Sequence, residues 1–584
     1  MKTMFQATFT VKVGLMDAGA SVTSTAQPTV LQSWRGKMYS TLCALVLTAA
    51  ATAAVAQSDL SEALRLEIEG LQVTGRLELA GADVASAPLL AEFYERRQFE
   101  PAWMAAEQAE QLHALIVASD ADGLDPADYH PAAVARAAEA LAAPGALSAA
   151  ERAELDIVLT DALVRLAYHQ RFGKINPYTL DPQWNFNRQF DDTDPVTVLQ
   201  ATIDAPSLRE HLDRVIPRGW FYVAMRDALA RYRNIAAAGG WPMVPEGPVL
   251  RPGGTDRRVS ALARRLTATG DMPEDLASRQ RDQYSPELEQ AVRRFQARHG
   301  LDVDGIVGAG TLSEMNVPAG RRVQQLEINL ERARWVLNDI SERFVLVNIA
   351  GFRVYVVQDR QFVWESRAQV GRTYRKSPVF RDEMKYLVFN PTWTVPYSIA
   401  TRDLLPQIKE DPGFFENRGF DLRDRQSKAV EPSSVDWSQV ASGRFPYTLV
   451  QRPGAANALG RVKFMFPNEY AVYLHDTPSK YLFDRADRSF SSGCIRVENP
   501  FELAEILLGA DGWNQEKFQQ VLDTGKERTV FLSEPVPVLL LYWTAQANPD
   551  GTVSFFRDIY ARDAAIQEAL DAPFSLDLPN SDTR

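Results

Sequence analysis

A cysteine and a histidine 19 residues apart are the pair in this sequence best suited to chemistry. Cys494 stands in Ser491-Ser492-Gly493-Cys494-Ile495-Arg496, and His475 ends the alternating run Tyr470-Ala471-Val472-Tyr473-Leu474-His475. Thiols attack as thiolates, and a neighbouring imidazole lowers the cysteine pKa by stabilising that anion as an ion pair. His475 would take the proton and return it to a leaving amine. Gly493 permits unusual backbone geometry and close approach, so its amide and that of Cys494 can face a developing oxyanion. The implied chemistry is acyl transfer through a thioester. The residues alone admit another reading, an inert core cysteine beside an edge-strand histidine, because free cysteine usually packs as a small hydrophobe.

The elements that must position these groups lie in a β-rich C-terminal half, read as residues 341–545. Arg343 to Gln358 and Lys385 to Thr394 are rich in Val, Phe and Tyr and read as strands. His475 ends a strand, where a polar side chain can face a groove. Cys494 precedes a helix that Asn499-Pro500 opens. A charged, Gly/Pro-punctuated insertion over about 396–445 reads either as a lid over the site or as a surface embellishment. Residues 546–584 form a C-terminal extension.

Upstream the period changes to that of helices. Ala87 to Arg97, Ser148 to Tyr168 and Trp220 to Ile235 carry apolar residues at three and four spacing, so residues 57–254 read as an all-α region ending in a Gly/Pro-rich linker from Gly239 to Gly254. Residues 255–318 form a small module with helices near Arg257 to Thr267, Ser285 to His299 and from Gly310, the second begun by Ser285 as N-cap and Pro286. Asp302 and Asp304 read as turn formers, since the loop lacks the remaining ligands of a calcium-binding EF-hand. A connecting helix closes this half over 319–340.

The chain has 584 residues, 46% of them hydrophobic and 24% charged, which excludes wholesale disorder, collagen and coiled coil and allows three or four domains. Its formal charge of −12 gives no electrostatic support to nucleic-acid binding. Arg35 and Lys37, the apolar Leu42 to Val55, and Ala54-Val55-Ala56 spell a secretory signal peptide, with Met38 or a nearby codon as start. Residues 1–56 are therefore expected to be an upstream extension and a cleaved leader. Removing their four cations and one anion takes the charge to −15 and leaves no transmembrane helix in the mature chain. It also removes Cys43, so Cys494 is the lone thiol of an exported protein and cannot form an internal disulfide.

His475 to Val497 (HDTPSKYLFDRADRSFSSGCIRV) resembles the catalytic motif of the L,D-transpeptidases, the YkuD-like domain. Ser491, Gly493, Cys494 and Ile495 match it; Ser492 stands where the motif has a second histidine, and Arg496 where it has asparagine. The form SSGC-x-RV resembles the large periplasmic branch of the family, as do Phe389 to Pro396 with the following SIATRDLLPQIKEDPGFF, and FYERRQFEPAW with DGLDPADYH. AVRRFQARHGLDVDGIVGAGTL resembles the three-helix peptidoglycan-binding module of wall enzymes.

The resemblance implies a multidomain α+β protein: an all-α scaffold region, a peptidoglycan-binding module, and a β-rich catalytic domain with a capping insertion. It implies that Cys494 attacks a tetrapeptide stem, releases D-alanine, and passes the acyl group to a second stem to give a 3-3 cross-link, with His475 as general base and acid and no metal or cofactor. The third catalytic element would be a backbone carbonyl near the histidine, which leaves Asp476 as a turn residue or a supporting partner. Substrate contacts fall to Arg496, Ser492, Tyr473 and Trp393, with Arg496 either gripping a carboxylate or tying the loop to the fold. Peptidoglycan stem peptides are the expected partners, wall synthases or envelope proteins are further candidates, and the periplasm is the expected location. Three rivals stay open: a carboxypeptidase, an amidase using the same thioester, and a non-catalytic wall-binding scaffold. No Ser-x-x-Lys or HExxH motif supports a penicillin-binding or zinc enzyme.

Overall fold

Strands from the C-terminal half hydrogen-bond in the order Ser489–Ser491, Gln361–Gly371, Ile495–Val497, Leu474–His475, Val462–Met465, Phe380–Phe389, Arg528–Leu541, Arg343–Asn348 and Arg353–Gln358. The last also pairs with Gln361–Gly371, closing the sheet on itself. Closure leaves one face inward, and Val345, Val354, Leu387, Phe464 and Leu474 fill that interior with no exposed surface. Arg528–Leu541 binds two neighbours at once, and its register shifts between Phe531 and Val536, where Pro535 has no amide to give the ladder. This computed structural model describes residues 57–574 apart from 144, 146, 182–183, 187–193, 217–218 and 337–340. The expected leader and the end of the expected connecting helix lie outside these residues.

The all-α, three-helix-module and β-rich organisation appears as expected, with differences of detail. The long helix Ala149–Phe172 opens on a capping box in which Ser148 and Glu151 satisfy each other's amides. Within this helical region Leu77–Leu79 and Ala82–Val84 form a hairpin that helical periodicity did not anticipate. Ala80 (φ 48°) and Gly81 (φ 74°) supply its tight turn. The module helices Val259–Thr267, Pro286–Arg298 and Ala309–Met315 enclose a separate core around Leu262, Leu288 and Phe295. Val244 and Leu250, from the stretch read as a linker, are buried in that core, and Leu250 bridges to Val307.

The connecting helix, Ala319–Val336, lies between the helical region and the sheet, carrying the buried Glu331–Arg334 pair. Beyond the catalytic strands, Ala545–Ala547 pairs with Val553–Phe555 across the boundary drawn at residue 545, and Phe555, Tyr560 and Ile566 share the core of the sheet. The insertion extends past the expected 396–445 at both ends, because Trp393–Thr394 and Thr448–Gln451 join Phe420–Arg423 and Ala429–Val430 in a second, four-stranded sheet (in the order Trp393–Thr394, Thr448–Gln451, Phe420–Arg423, Ala429–Val430) with its own core around Phe414, Leu422 and Leu449. Its polar composition concealed these short strands.

Candidate functional site

Two parallel strands bring the predicted residues together. Leu474 pairs with Ile495 and His475 with Arg496. Because side chains alternate along a strand, Leu474 and Ile495 point into the core, while Tyr473, His475, Cys494 and Arg496 share the opposite face. The alternating run before His475 is less regular than its sequence suggests: only Leu474–His475 is strand, because Ala471 turns into the left-handed region (φ 52°). That turn sets the Ala471 carbonyl 3.8 Å from the Cys494 Sγ.

His475 is 4% exposed, and its Nδ1 lies 2.5 Å from the carbonyl oxygen of Asp476. The imidazole thereby has a backbone orienter. The Asp476 carboxylate does other work, accepting from the Arg461 amide at 2.8 Å and pairing with Lys480 at 2.6 Å. Gly460 lies so close to that carboxylate that a Cβ there would come within 2.3 Å of it. Asp476 thus braces the 459–461 loop, whose Leu459 carbonyl also faces His475.

Among the described residues no hydrogen bond joins His475 directly to Cys494. Tyr473 contacts both, its ring 5.7 Å from the His475 ring in an edge-on arrangement and its hydroxyl beside the thiol. Trp393, half-buried at the first strand of the insertion, also reaches the Tyr473 hydroxyl.

The electrostatics differ from a preformed thiolate–imidazolium pair. Burial, and then the Arg496 cation, push the His475 pKa down to about 3, while burial pushes the Cys494 thiol up. The resting pair is neutral. Arg496 donates to Gln369 Oε1 at 3.1 Å, its buried Nε has no acceptor, and it has no carboxylate partner among the described residues.

The expected oxyanion donors also separate. The Gly493 amide donates to Ser491 Oγ at 3.1 Å, so it is not free to face an oxyanion in this geometry. Gly493 does adopt a conformation that disfavours side chains (φ 123°). Its carbonyl accepts from Ser377 Oγ at 2.7 Å, and this carbonyl shares a rigid peptide plane with the Cys494 amide. Ser377 therefore fixes the direction of the Cys494 N–H, which has no acceptor among the described residues.

Ser492 is exposed and accepts from Arg375 Nη1 at 3.0 Å; the same guanidinium pairs with Asp403 of the insertion. Arg375 thus ties the insertion to the Ser491–Cys494 loop. Sequence reasoning missed Ser377, Arg375 and Gln369, which lie more than 100 residues from the nucleophile loop; Ser377-Pro378 gave only a turn signal. No cluster of His, Cys, Asp and Glu that could hold a metal occurs among the described residues.

Three family models match this chain: "Scaffold domain" over residues 88–229, "Putative peptidoglycan binding domain" over 255–315, and YkuD, "L,D-transpeptidase catalytic domain", over 342–536. A Haemophilus influenzae protein named "Putative L,D-transpeptidase" is 37% identical over 246 residues, which cover 42% of this chain and 49% of that protein. The chain thus spans about half the length of that curated relative. Solved L,D-transpeptidase structures from Xylanimonas cellulosilytica and Stackebrandtia nassauensis align with 51% of this chain and 99% and 96% of theirs, at 16% and 12% identity and TM-scores of 0.17 and 0.20. The third model coincides with the strands and loops that bring Cys494 and His475 to one face, so residues 342–536 carry a YkuD L,D-transpeptidase catalytic domain, which follows a match to a peptidoglycan-binding domain and one to a scaffold domain.

Proposed function

We propose that the protein is an exported, periplasmic L,D-transpeptidase that forms 3-3 peptidoglycan cross-links through a thioester on Cys494. In the first half-reaction Cys494 Sγ attacks the carbonyl that follows the third stem residue, and the thiol proton passes to His475. The Cys494 amide, aimed by Ser377, donates to the oxyanion. The tetrahedral species collapses, the C–N bond breaks, and His475 returns the proton to the leaving D-alanine amine. An acceptor amine then attacks the thioester, giving up its proton through His475 and releasing Cys494.

The neutral resting pair gives Arg496 a defined part in this reading. After burial, its positive charge does most to hold the imidazole basicity down. A substrate carboxylate seated on that guanidinium would offset its charge and raise the imidazole basicity, with burial still acting against protonation. Ser492, Tyr473 and Trp393 would line the acyl-donor groove, and the peptidoglycan-binding domain would hold the enzyme on its polymer.

The observation that carries the proposal is the shared face: His475 and Arg496 on adjacent parallel strands, Cys494 just before the second of them, and the imidazole oriented by the Asp476 carbonyl. The test incubates the mature protein and Cys494→Ala with disaccharide-tetrapeptide and reads products by mass spectrometry. A cross-linked dimer formed with loss of one D-alanine, absent from the variant, is expected. Tripeptide alone would replace transpeptidation by carboxypeptidase activity, and unchanged substrate in both samples would overturn the enzymatic reading.

A further inference from the structure

The turn that joins strands Gln361–Gly371 and Phe380–Phe389 carries the group that aims the Cys494 amide. Ser377 is fully buried there, and its hydroxyl accepts from the Gly371 amide at 2.9 Å while donating to the Gly493 carbonyl at 2.7 Å. With the Gly371 N–H already pointing at the oxygen, the one hydroxyl proton is committed to Gly493. The Gly493 carbonyl and the Cys494 N–H lie in one peptide plane, so the placement of Ser377 sets where that N–H points.

The placement of Ser377 is itself set from another part of the chain. The Tyr560 hydroxyl accepts from the Ser377 amide at 3.1 Å and donates to the Gly371 carbonyl at 2.6 Å, closing the two ends of the turn. Gly371 permits this approach, since a Cβ there would come within 2.7 Å of the Ser377 nitrogen and 2.2 Å of the Arg375 carbonyl oxygen. Tyr560 is held in turn: its ring stacks on Tyr542 at 5.4 Å, its amide donates to the Tyr542 hydroxyl at 2.8 Å, and its carbonyl accepts from Lys376 Nζ at 3.0 Å. Yet Tyr560 stands beyond residue 536, where the match to the catalytic domain ends, and beyond the boundary drawn at 545.

We propose that Tyr560 is a positioning residue for acylation of Cys494: acting through Ser377 and the Gly493 carbonyl, its hydroxyl holds the Cys494 amide on the developing oxyanion. The C-terminal segment is then a working part of the site. This inference rests on the thioester reading only in requiring that Cys494 accept an acyl group. It separates two reactions of the same thiol. In acylation by an ester, Sγ bonds to the carbonyl carbon, the carbonyl oxygen becomes the oxyanion, and the thiol proton passes to His475. Collapse then breaks the ester C–O bond, and the leaving oxygen departs with its electron pair. In alkylation by iodoacetamide, Sγ displaces iodide from a methylene carbon and no oxyanion forms. Tyr560 should matter to the first reaction alone.

The test follows the burst of 4-nitrophenolate from 4-nitrophenyl acetate, and separately the rate of alkylation by iodoacetamide, in the full chain, with Cys494→Ala as the blank. Tyr560→Phe keeps the ring on Tyr542 and removes the hydroxyl. It should slow the burst about tenfold, less than the loss of an oxyanion donor outright, and leave alkylation unchanged. Ser377→Ala should do the same by a second route. The double variant should be acylated no more slowly than Ser377→Ala, because the two residues act in series. With disaccharide-tetrapeptide, Tyr560→Phe should lower kcat and leave KM in place. An unchanged burst rate in Tyr560→Phe, equal slowing of burst and alkylation, losses that multiply in the double variant, or no burst from the unsubstituted protein would each overturn the proposal. A protein that shows the expected burst pattern yet leaves disaccharide-tetrapeptide untouched would overturn the transpeptidase reading and keep this one.

Discussion

His299 in the peptidoglycan-binding domain and His475 in the catalytic domain are alike by several local measures. They are 2% and 4% exposed, each has Nδ1 against a backbone carbonyl (Phe295 at 2.8 Å, Asp476 at 2.5 Å), and burial depresses the pKa of both. Their neighbours differ. His299 stacks on Phe295 at 3.8 Å and packs near Phe555, with Arg298 and Arg322 as its nearest charges. His475 shares a sheet face with a thiol, a tyrosine and a guanidinium that has no carboxylate partner among the described residues. Burial and a perturbed pKa therefore do not distinguish the proposed general base from a packing histidine; the thiol on the same face does.

The sharpest way to break this comparison is to truncate each ring. His475→Ala should lower consumption of disaccharide-tetrapeptide by about 10²–10⁴-fold, the usual worth of a positioned general base. His299→Ala should leave turnover per folded molecule nearly unchanged and cost about 2–4 kcal/mol of stability in denaturant unfolding, as expected for emptying a packed ring site. Comparable losses of turnover in the two variants would show that the two regions are not functionally separate.

Acid sharpens the comparison from the stability side. A histidine whose folded pKa lies below its unfolded value of about 6.5 takes up its proton first in the unfolded chain, so stability falls as pH drops through 6.5 toward the folded pKa. For His475, with a folded pKa of about 3, the loss between pH 7 and pH 5 is about 2 kcal/mol. His299 shifts in the same direction. His475→Gln should therefore remove about 2 kcal/mol of the acid destabilisation seen in urea titrations at the two pH values, and retain the part due to His299. An unchanged pH dependence in that variant would mean that His475 is not held neutral.

That Cys494 and His475 come to neighbouring strands was legible because both sit close in sequence at element ends, and the helix Pro500–Leu508 begins where Asn499-Pro500 placed it. What remained hidden depended on the folded field or on distant chain. The Arg496 charge that suppresses the imidazole is a consequence of strand register, which alternation alone does not fix. Ser377 and Arg375 reach the nucleophile loop from 116 and 117 residues away. The Gly493 amide looked free because its local competitor, Ser491 Oγ, requires the loop geometry to be known. The four-stranded sheet of the insertion was obscured because two of its strands are only two residues long.

The smallest predicted effect lies where sequence and structure agree most closely. Ser285 caps Pro286–Arg298 by accepting from the Leu288 amide at 3.2 Å, with Pro286 at the first helical position. Replacing such a cap by alanine costs about 1 kcal/mol, and the core that this helix helps to form is separate from that of the sheet. In Ser285→Ala, amide exchange over 286–298 should accelerate about fivefold while tetrapeptide turnover stays unchanged. The two domains do touch, since Arg298 at the far end of the same helix donates to the Val553 carbonyl at 2.7 Å and Asp302 accepts from the Ala486 amide at 3.2 Å. These contacts dock the domain against the sheet without touching the strands that carry His475 and Arg496. A fall in turnover in Ser285→Ala would show that docking is coupled to the nucleophile, and the contrast between the two histidines would then be one of degree.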